Sequence, residues 1–153
     1  MLEHLEPVKV MTYFEKLCSI PHGSYNTKAI SDYCVAFAKE RGLSVSQDDT
    51  NNVIIVKEAS EGYEAAPTVI LQGHLDMVCE KNADVDFDFA TEGLRLRVDG
   101  DFVYADGTTL GGDDGIAVAC ALAILDDNTL KHPRIEAVFT TEEEVGMDGA
   151  LAL

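Results

Sequence analysis

Residues 69–79 read Val-Ile-Leu-Gln-Gly-His-Leu-Asp-Met-Val-Cys, and the rest of the chain is organised around them. Val69, Ile70 and Leu71 are a short apolar run after Pro67, the pattern of a strand buried on both faces. Gln72-Gly73 ends the run, and polar chemistry follows at once with His74 and Asp76. An imidazole at the end of a buried strand, two residues before a carboxylate, suits a metal ligand with a supporting acid. The same tripeptide also fits an ordinary loop. Two further acidic clusters favour the first reading, because each falls at another predicted element edge.

Upstream of this strand, residues 7–20 carry Val10, Met11, Phe14, Leu17 and Cys18 at helical spacing, with Pro7 suited to the first turn. Pro21-His22-Gly23-Ser24 breaks that helix. A second helix is predicted over 26–41, with Ile30, Tyr33, Cys34 and Phe37 on one face, Ser24 or Asn26 as cap and Gly42 as terminator. His22 lies in the intervening loop with no acidic neighbour in sequence, which favours a structural or solvent role. Residues 43–47 alternate like a half-buried strand, 48–52 are turn chemistry, and Val53 to Val56 form a further strand. Downstream, Glu80 to Glu92 is a polar loop in which Asp84, Asp86 and Asp88 superficially resemble a calcium loop. The glycine and closing glutamate of an EF-hand are missing, so it reads as a solvated loop.

Leu94, Leu96 and Val98, then Asp99-Gly100, then Phe102 and Tyr104 predict a hairpin. Asp113 and Asp114 precede a strongly apolar stretch, 116–125, whose length and alanine content favour a buried helix. As far as local pattern goes, the two aspartates suit a helix cap. Residues 134–140 form another buried strand that runs into Glu142-Glu143-Glu144. Three consecutive carboxylates repel one another unless they are solvated or a cation neutralises them. Residues 147–153 read as the first turns of a helix that stops in mid-pattern.

The chain has 153 residues, enough for one domain with a substantial core, and its 46% hydrophobic and 25% charged residues are ordinary for a globular protein. Its net charge of -17 and pI near 4.3 repel phosphate backbones, which argues against nucleic acid and anionic membrane as partners. No apolar run is long enough to span a bilayer and no signal-peptide pattern opens the chain, so a soluble cytoplasmic protein is expected. Cys18, Cys34, Cys79 and Cys120 have neither the pairing of a zinc ribbon nor the density of a disulfide framework, and read as reduced core thiols.

Three element edges thus offer imidazole or acid: His74/Asp76, Asp113/Asp114 and Glu142/Glu143/Glu144. In an α/β sheet, functional groups gather where strands end. A mixed imidazole and carboxylate set suits zinc, and paired metals about 3.5–4 Å apart are hydrolase chemistry.

Gly73-His74-Leu75-Asp76, Gly112-Asp113-Asp114-Gly115 and Glu143-Glu144-Val145-Gly146 resemble, in order, the motifs of the co-catalytic di-zinc exopeptidases. Ser19 through His22, Leu71 through Met77, Gly107 through Gly111 and Glu143 through Ala150 are similar to the aminoacyl-histidine dipeptidase branch of that superfamily. The resemblance implies an α/β fold, a mixed or mostly parallel sheet flanked by helices, and two zinc ions per complete site, with manganese or cobalt as substitutes. It implies His74, Asp113 and Glu144 as metal ligands, with Asp113 bridging, Asp76 as the acid orienting His74, and Glu143 as general base. Asp114 and Glu142 receive no role.

The activity implied is hydrolysis of Xaa-His dipeptides, including β-alanyl-histidine, by a homo-oligomeric enzyme. Members of the family continue well beyond these motifs, so residues 1–153 are expected to be the N-terminal part of the catalytic domain. The remainder of that domain and a second domain would lie outside it, leaving this stretch inactive alone. The rival expectations are a non-catalytic, self-associating fragment and a different peptidase or deacylase of the superfamily.

Overall fold

In the computed structural model, which describes residues 1–153, the elements in chain order are α1 (Val8–Cys18), α2 (Lys28–Glu40), β1 (Ser44–Gln47), β2 (Val53–Lys57), β3 (Val69–His74), β4 (Leu96–Asp99), β5 (Phe102–Ala105), α3 (Gly112–Leu125), β6 (Ile135–Thr140) and α4 (Asp148–Ala152). Four strands form a mixed sheet in the order β1-β2-β6-β3. β1 and β2 pair antiparallel, as do β2 and β6, and parallel pairing is confined to β3 and β6. β4 and β5 form the separate hairpin expected around Asp99-Gly100.

Period-two patterning decides which sheet face is covered. Val53, Ile55, Ile135, Ala137 and Phe139 point to one side and are buried with Phe14 and Leu17 of α1, Ile30, Cys34 and Phe37 of α2, and Val118 and Leu122 of α3. The chain is therefore an α/β unit with α1, α2 and α3 against one face of a mixed sheet. Full burial of each large side chain contributes roughly 1.5–3 kcal/mol, which makes this shared cluster the main source of stability.

Several local expectations change in the structure. β3 is an edge strand, not one buried on both faces: Val69 is 42% and Ile70 62% exposed. An apolar run reports a strand's hydrophobicity but not its rank in the sheet. Neither Ser24 nor Asn26 caps α2; Thr27 occupies the cap position but makes no side-chain bond to the helix backbone, while Gly42 ends the helix region at φ +66° as expected. Asp113 and Asp114 have non-helical backbone angles at the start of α3, and Gly111 before them is left-handed, so the aspartates stand clear of the helix instead of capping it. Cys18 and Cys34 are buried core thiols, but Cys79 and Cys120 are exposed. One residue not singled out by sequence is Lys57. Buried at the end of β2, it donates Nζ hydrogen bonds to the carbonyls of Leu125 (2.9 Å) and Asp127 (2.7 Å), closing the C-terminal end of α3.

Candidate metal centre

Parallel pairing delivers the site. β3 and β6 run side by side with His74 opposite Thr140, so both strands release their following residues at one end of the sheet. His74 and Asp76 leave β3 there, and Thr141 to Gly146 leave β6. The start of α3 approaches the same point because residue 73 is glycine. A Cβ there would lie 2.9 Å from Asp114 Oδ2 and 3.2 Å from Val118 Cγ2, too close to either.

These elements bring His74, Asp113 and Glu144 together, with one candidate ligand atom from each lying within 4.8 Å of the others. Zinc holds its donors at about 2.0–2.2 Å, so two donors sharing an ion are at most about 4.4 Å apart, a limit that His74 Nε2 and Asp113 Oδ1, 3.1 Å apart, meet. His74 Nδ1 donates to the backbone carbonyl of Asp76 at 2.9 Å. That bond turns Nε2 toward Asp113 Oδ1, 3.1 Å away, and Glu143 Oε2, 3.9 Å away. Burial works against a charged His74, but hydrogen bonds to Asp76 and Asp113 outweigh it and raise its pKa to about 9. The surroundings therefore favour positive charge at this point. One imidazole among carboxylates is a donor set that zinc accepts, so these residues fit the cation.

Asp76 is nearly inaccessible and its carboxylate lies 3.5 Å from His74 Nδ1. Its shorter contacts are elsewhere. Oδ1 accepts the backbone N–H of Glu143 at 3.0 Å; Oδ2 accepts the N–H of Glu144 at 3.2 Å and the Ser24 hydroxyl at 2.8 Å. Burial pushes the Asp76 carboxyl up, but these donors together with His74 overcome it and bring the pKa down to about 2. Glu144 shifts the other way: burial, then the like charges of Glu143 and Asp113, raise it. Asp114 is also raised, chiefly by burial, and packs behind Gly73.

Glu142 does not join the ligand group. Its carboxylate accepts the Tyr25 N–H at 2.6 Å and the Thr27 hydroxyl at 3.1 Å. His22 is buried, its ring bonded to the Ile20 carbonyl at 2.6 Å, and burial lowers its pKa; this is the structural role expected. Cys79 stays out of the group as well, its thiol directed at the Met77 carbonyl. A recess of about 240 Å³ opens beside Glu144, lined by Ser24, Met77, Val78, Cys79 and Val145. Sequence reasoning missed Ser24 and Asn52. Asn52 is buried and joins Thr141 N–H (3.1 Å) to the Gly149 carbonyl (2.8 Å), holding both ends of the acidic segment.

A mixed sheet that gathers an imidazole, several carboxylates and a free glutamate at one strand end defines a metallopeptidase catalytic-domain fold, and the chain belongs to peptidase family M20/M25/M40, whose profile matches residues 70–153. It is 45% identical over 152 residues to the cytosol non-specific dipeptidase of Escherichia coli (strain K12), covering 99% of this chain and 31% of that protein. The crystal structure of aminoacylhistidine dipeptidase from Vibrio alginolyticus superposes with a TM-score of 0.97 at 44% identity, over all of this chain and 31% of that one. A tripeptidase from Staphylococcus aureus shares the fold, with a TM-score of 0.77 at 23% identity over 95% of this chain and 39% of that one. The chain thus spans about a third of the length of the relatives it matches.

Proposed function

We propose that residues 1–153 carry the N-terminal part of a two-metal dipeptidase centre, and that the full-length protein hydrolyses dipeptides. The observation that carries this reading is the convergence of His74, Asp113 and Glu144 on one point with Glu143 beside them. The metal ions, when bound, supply a Lewis acid that polarises the peptide carbonyl and lowers the pKa of water. His74 and Glu144 would each hold one ion and Asp113 would bridge the two. Glu143, next to the ligands and partly open to solvent, takes a proton from water at its carboxylate and delivers it to the leaving amine. Asp76 fixes the imidazole through its carbonyl and the two glutamates through its carboxylate. Val78 and Val145 give the recess beside Glu144 an apolar wall for a substrate side chain.

Xaa-His dipeptides, β-alanyl-histidine among them, are the substrates proposed first, because a relative of known structure at 44% identity is an aminoacylhistidine dipeptidase. The E. coli relative's name as a non-specific dipeptidase favours a broader range of dipeptides. Zinc is the proposed metal, the protein is proposed to be cytosolic and homo-oligomeric, and the remaining ligands and a second domain are assigned to residues outside 1–153. The test is an assay of the full-length protein on Xaa-His and other dipeptides, with and without a chelator. Chelator-sensitive hydrolysis is expected; hydrolysis that survives complete metal removal overturns the reading.

A further inference from the structure

The segment that carries Glu143 and Glu144 is held in a backbone shape it would not adopt unaided. Glu142, immediately before them, sits at φ +57°, and Met147 after them at φ +62°. A side-chain-bearing residue in the left-handed region costs roughly 1–2 kcal/mol, so something must hold it there. Across from it, Tyr25 is also left-handed, at φ +65°. The two strained residues are bonded to each other: the Tyr25 N–H donates to Glu142 Oε2 at 2.6 Å. Thr27 adds its hydroxyl to Glu142 Oε1, and Ser24, one residue before Tyr25, gives its hydroxyl to Asp76. Asp76 in turn receives the N–H groups of both Glu143 and Glu144.

We infer that residues 24–27 form a brace for the metal site, with Ser24 and Glu142 as positioning residues. One arm runs from Ser24 through Asp76 to the backbones of Glu143 and Glu144. The other runs from Tyr25 and Thr27 through Glu142 to the residue before them. Neither Ser24 nor Glu142 belongs to the ligand group, so each acts by fixing where the neighbouring carboxylates stand. Asp76 needs the Ser24 hydroxyl because its Oδ2 otherwise keeps a single, longer bond to Glu144 N–H. With that bond gone, the carboxylate can rotate and the Glu143–Glu144 segment gains freedom. A site about 1 Å too loose loses both affinity for its ion and alignment of its base. This inference rests on the reading of Glu143 and Glu144 given above.

The test uses the full-length protein in Ser24→Ala, Ser24→Thr and Glu142→Gln forms. Zinc affinity is read by competition with a chromophoric chelator, kcat and KM are read on a dipeptide, and the melting temperature is read without metal. Ser24→Ala is expected to weaken zinc binding and lower kcat about tenfold each, the lower end for loss of an outer support. KM should stay within about twofold, and Ser24→Thr, which keeps the hydroxyl, should restore both. Glu142→Gln removes one acceptor from the second arm, leaves Asp76 and Ser24 in place, and should weaken zinc binding several-fold. Wild-type zinc affinity in both Ser24→Ala and Glu142→Gln overturns the brace. So does a Ser24→Ala protein whose only change is a lower melting temperature. If the wild-type protein hydrolyses no dipeptide, the functional reading fails while the zinc competition still decides the brace.

Discussion

Glu143 and Glu144 are adjacent in sequence, yet their surroundings separate them. Glu144 lies in the candidate ligand group with its pKa raised by burial and like charge, whereas Glu143 sits 3.9 Å from His74 Nε2 and outside that group. Substitution should expose the difference. In the full-length protein, Glu143→Gln is expected to keep its zinc and lose about 10²–10⁴-fold in kcat, the usual cost of a missing general base. Glu144→Gln should lower the zinc content itself. Elemental analysis beside steady-state kinetics checks both, and metal loss in the Glu143 variant alone would reverse the assignment. The cysteines make a second residue-level case. Burial pushes Cys18 and Cys34 up to about 12, while Cys79 and Cys120 are exposed. Thiolate, the reactive form, is therefore essentially absent from the first two at pH 8. Iodoacetamide on the folded protein should label Cys79 and Cys120 and spare Cys18 and Cys34 until denaturant is added, as peptide mass mapping would report. Sequence context alone put all four in the core, because an apolar neighbourhood in the chain does not say which face of an element a residue occupies. Cys120 lies on the solvent side of α3, one residue from fully buried Ala119.

At the level of elements, the join between β2 and α3 depends on Lys57. Its Nζ serves two carbonyls at the end of α3 from a buried position. Lys57→Met keeps most of the stem and leaves both carbonyls without that donor, which should cost about 1–3 kcal/mol. A domain of this size loses about 2–4 °C of melting temperature per kcal/mol. Urea unfolding of the variant should show the loss, and undiminished stability would mean that solvent replaces the ammonium without cost. No rule of periodicity points to this lysine. Its helix partner lies about 70 residues away, and a lysine closing an otherwise apolar strand reads as its solvent-facing end. The elements themselves were largely legible: helices α1 and α2, the hairpin and strands β2 and β6 follow from 3.6- and 2-residue periods and from Gly42 and Asp99-Gly100. The three acidic edges were legible too, at His74/Asp76, Asp113/Asp114 and Glu142 to Glu144, since strand ends collect function, whereas the choice of His74, Asp113 and Glu144 among them came from the family resemblance and stays a proposal. What stayed hidden was pairing across distance. Ser24 reads locally as a cap for α2, and only the fold shows its hydroxyl on Asp76, 52 residues on. The edge position of β3 was hidden for the same reason, since strand order is a property of the whole sheet.

On the scale of the whole molecule, the helices cover one face of the sheet, while Ile70 on the other face and Leu151 and Leu153 in the last residues stay exposed. β3 also leaves one edge without a strand partner. Uncovered apolar surface and an open edge tend to pair with further chain. A polypeptide of residues 1–153 prepared alone should therefore self-associate, and a monodisperse monomer in sedimentation velocity runs would count against this. The same polypeptide should not be a working peptidase. It offers His74, Asp113 and Glu144 for two ions, although each zinc takes at least four donors, so water would fill most positions and the spacing of the ions would be poorly fixed. Catalysis needs the attacking water and the carbonyl held in a near-attack geometry, and a misplacement of about 1 Å can cost about 10²-fold. The stretch aligns to 31% of the length of its relatives, and under the functional reading proposed above the groups that orient substrate and exclude water are assigned to residues outside 1–153. These deficits multiply, so turnover of β-alanyl-histidine and other Xaa-His dipeptides by residues 1–153, with zinc or manganese supplied, should lie orders of magnitude below that of the full-length protein. Metal-dependent turnover approaching the full-length rate would instead mean that a second copy of these residues completes the site, and the rate should then rise with the square of protein concentration until the pair is saturated.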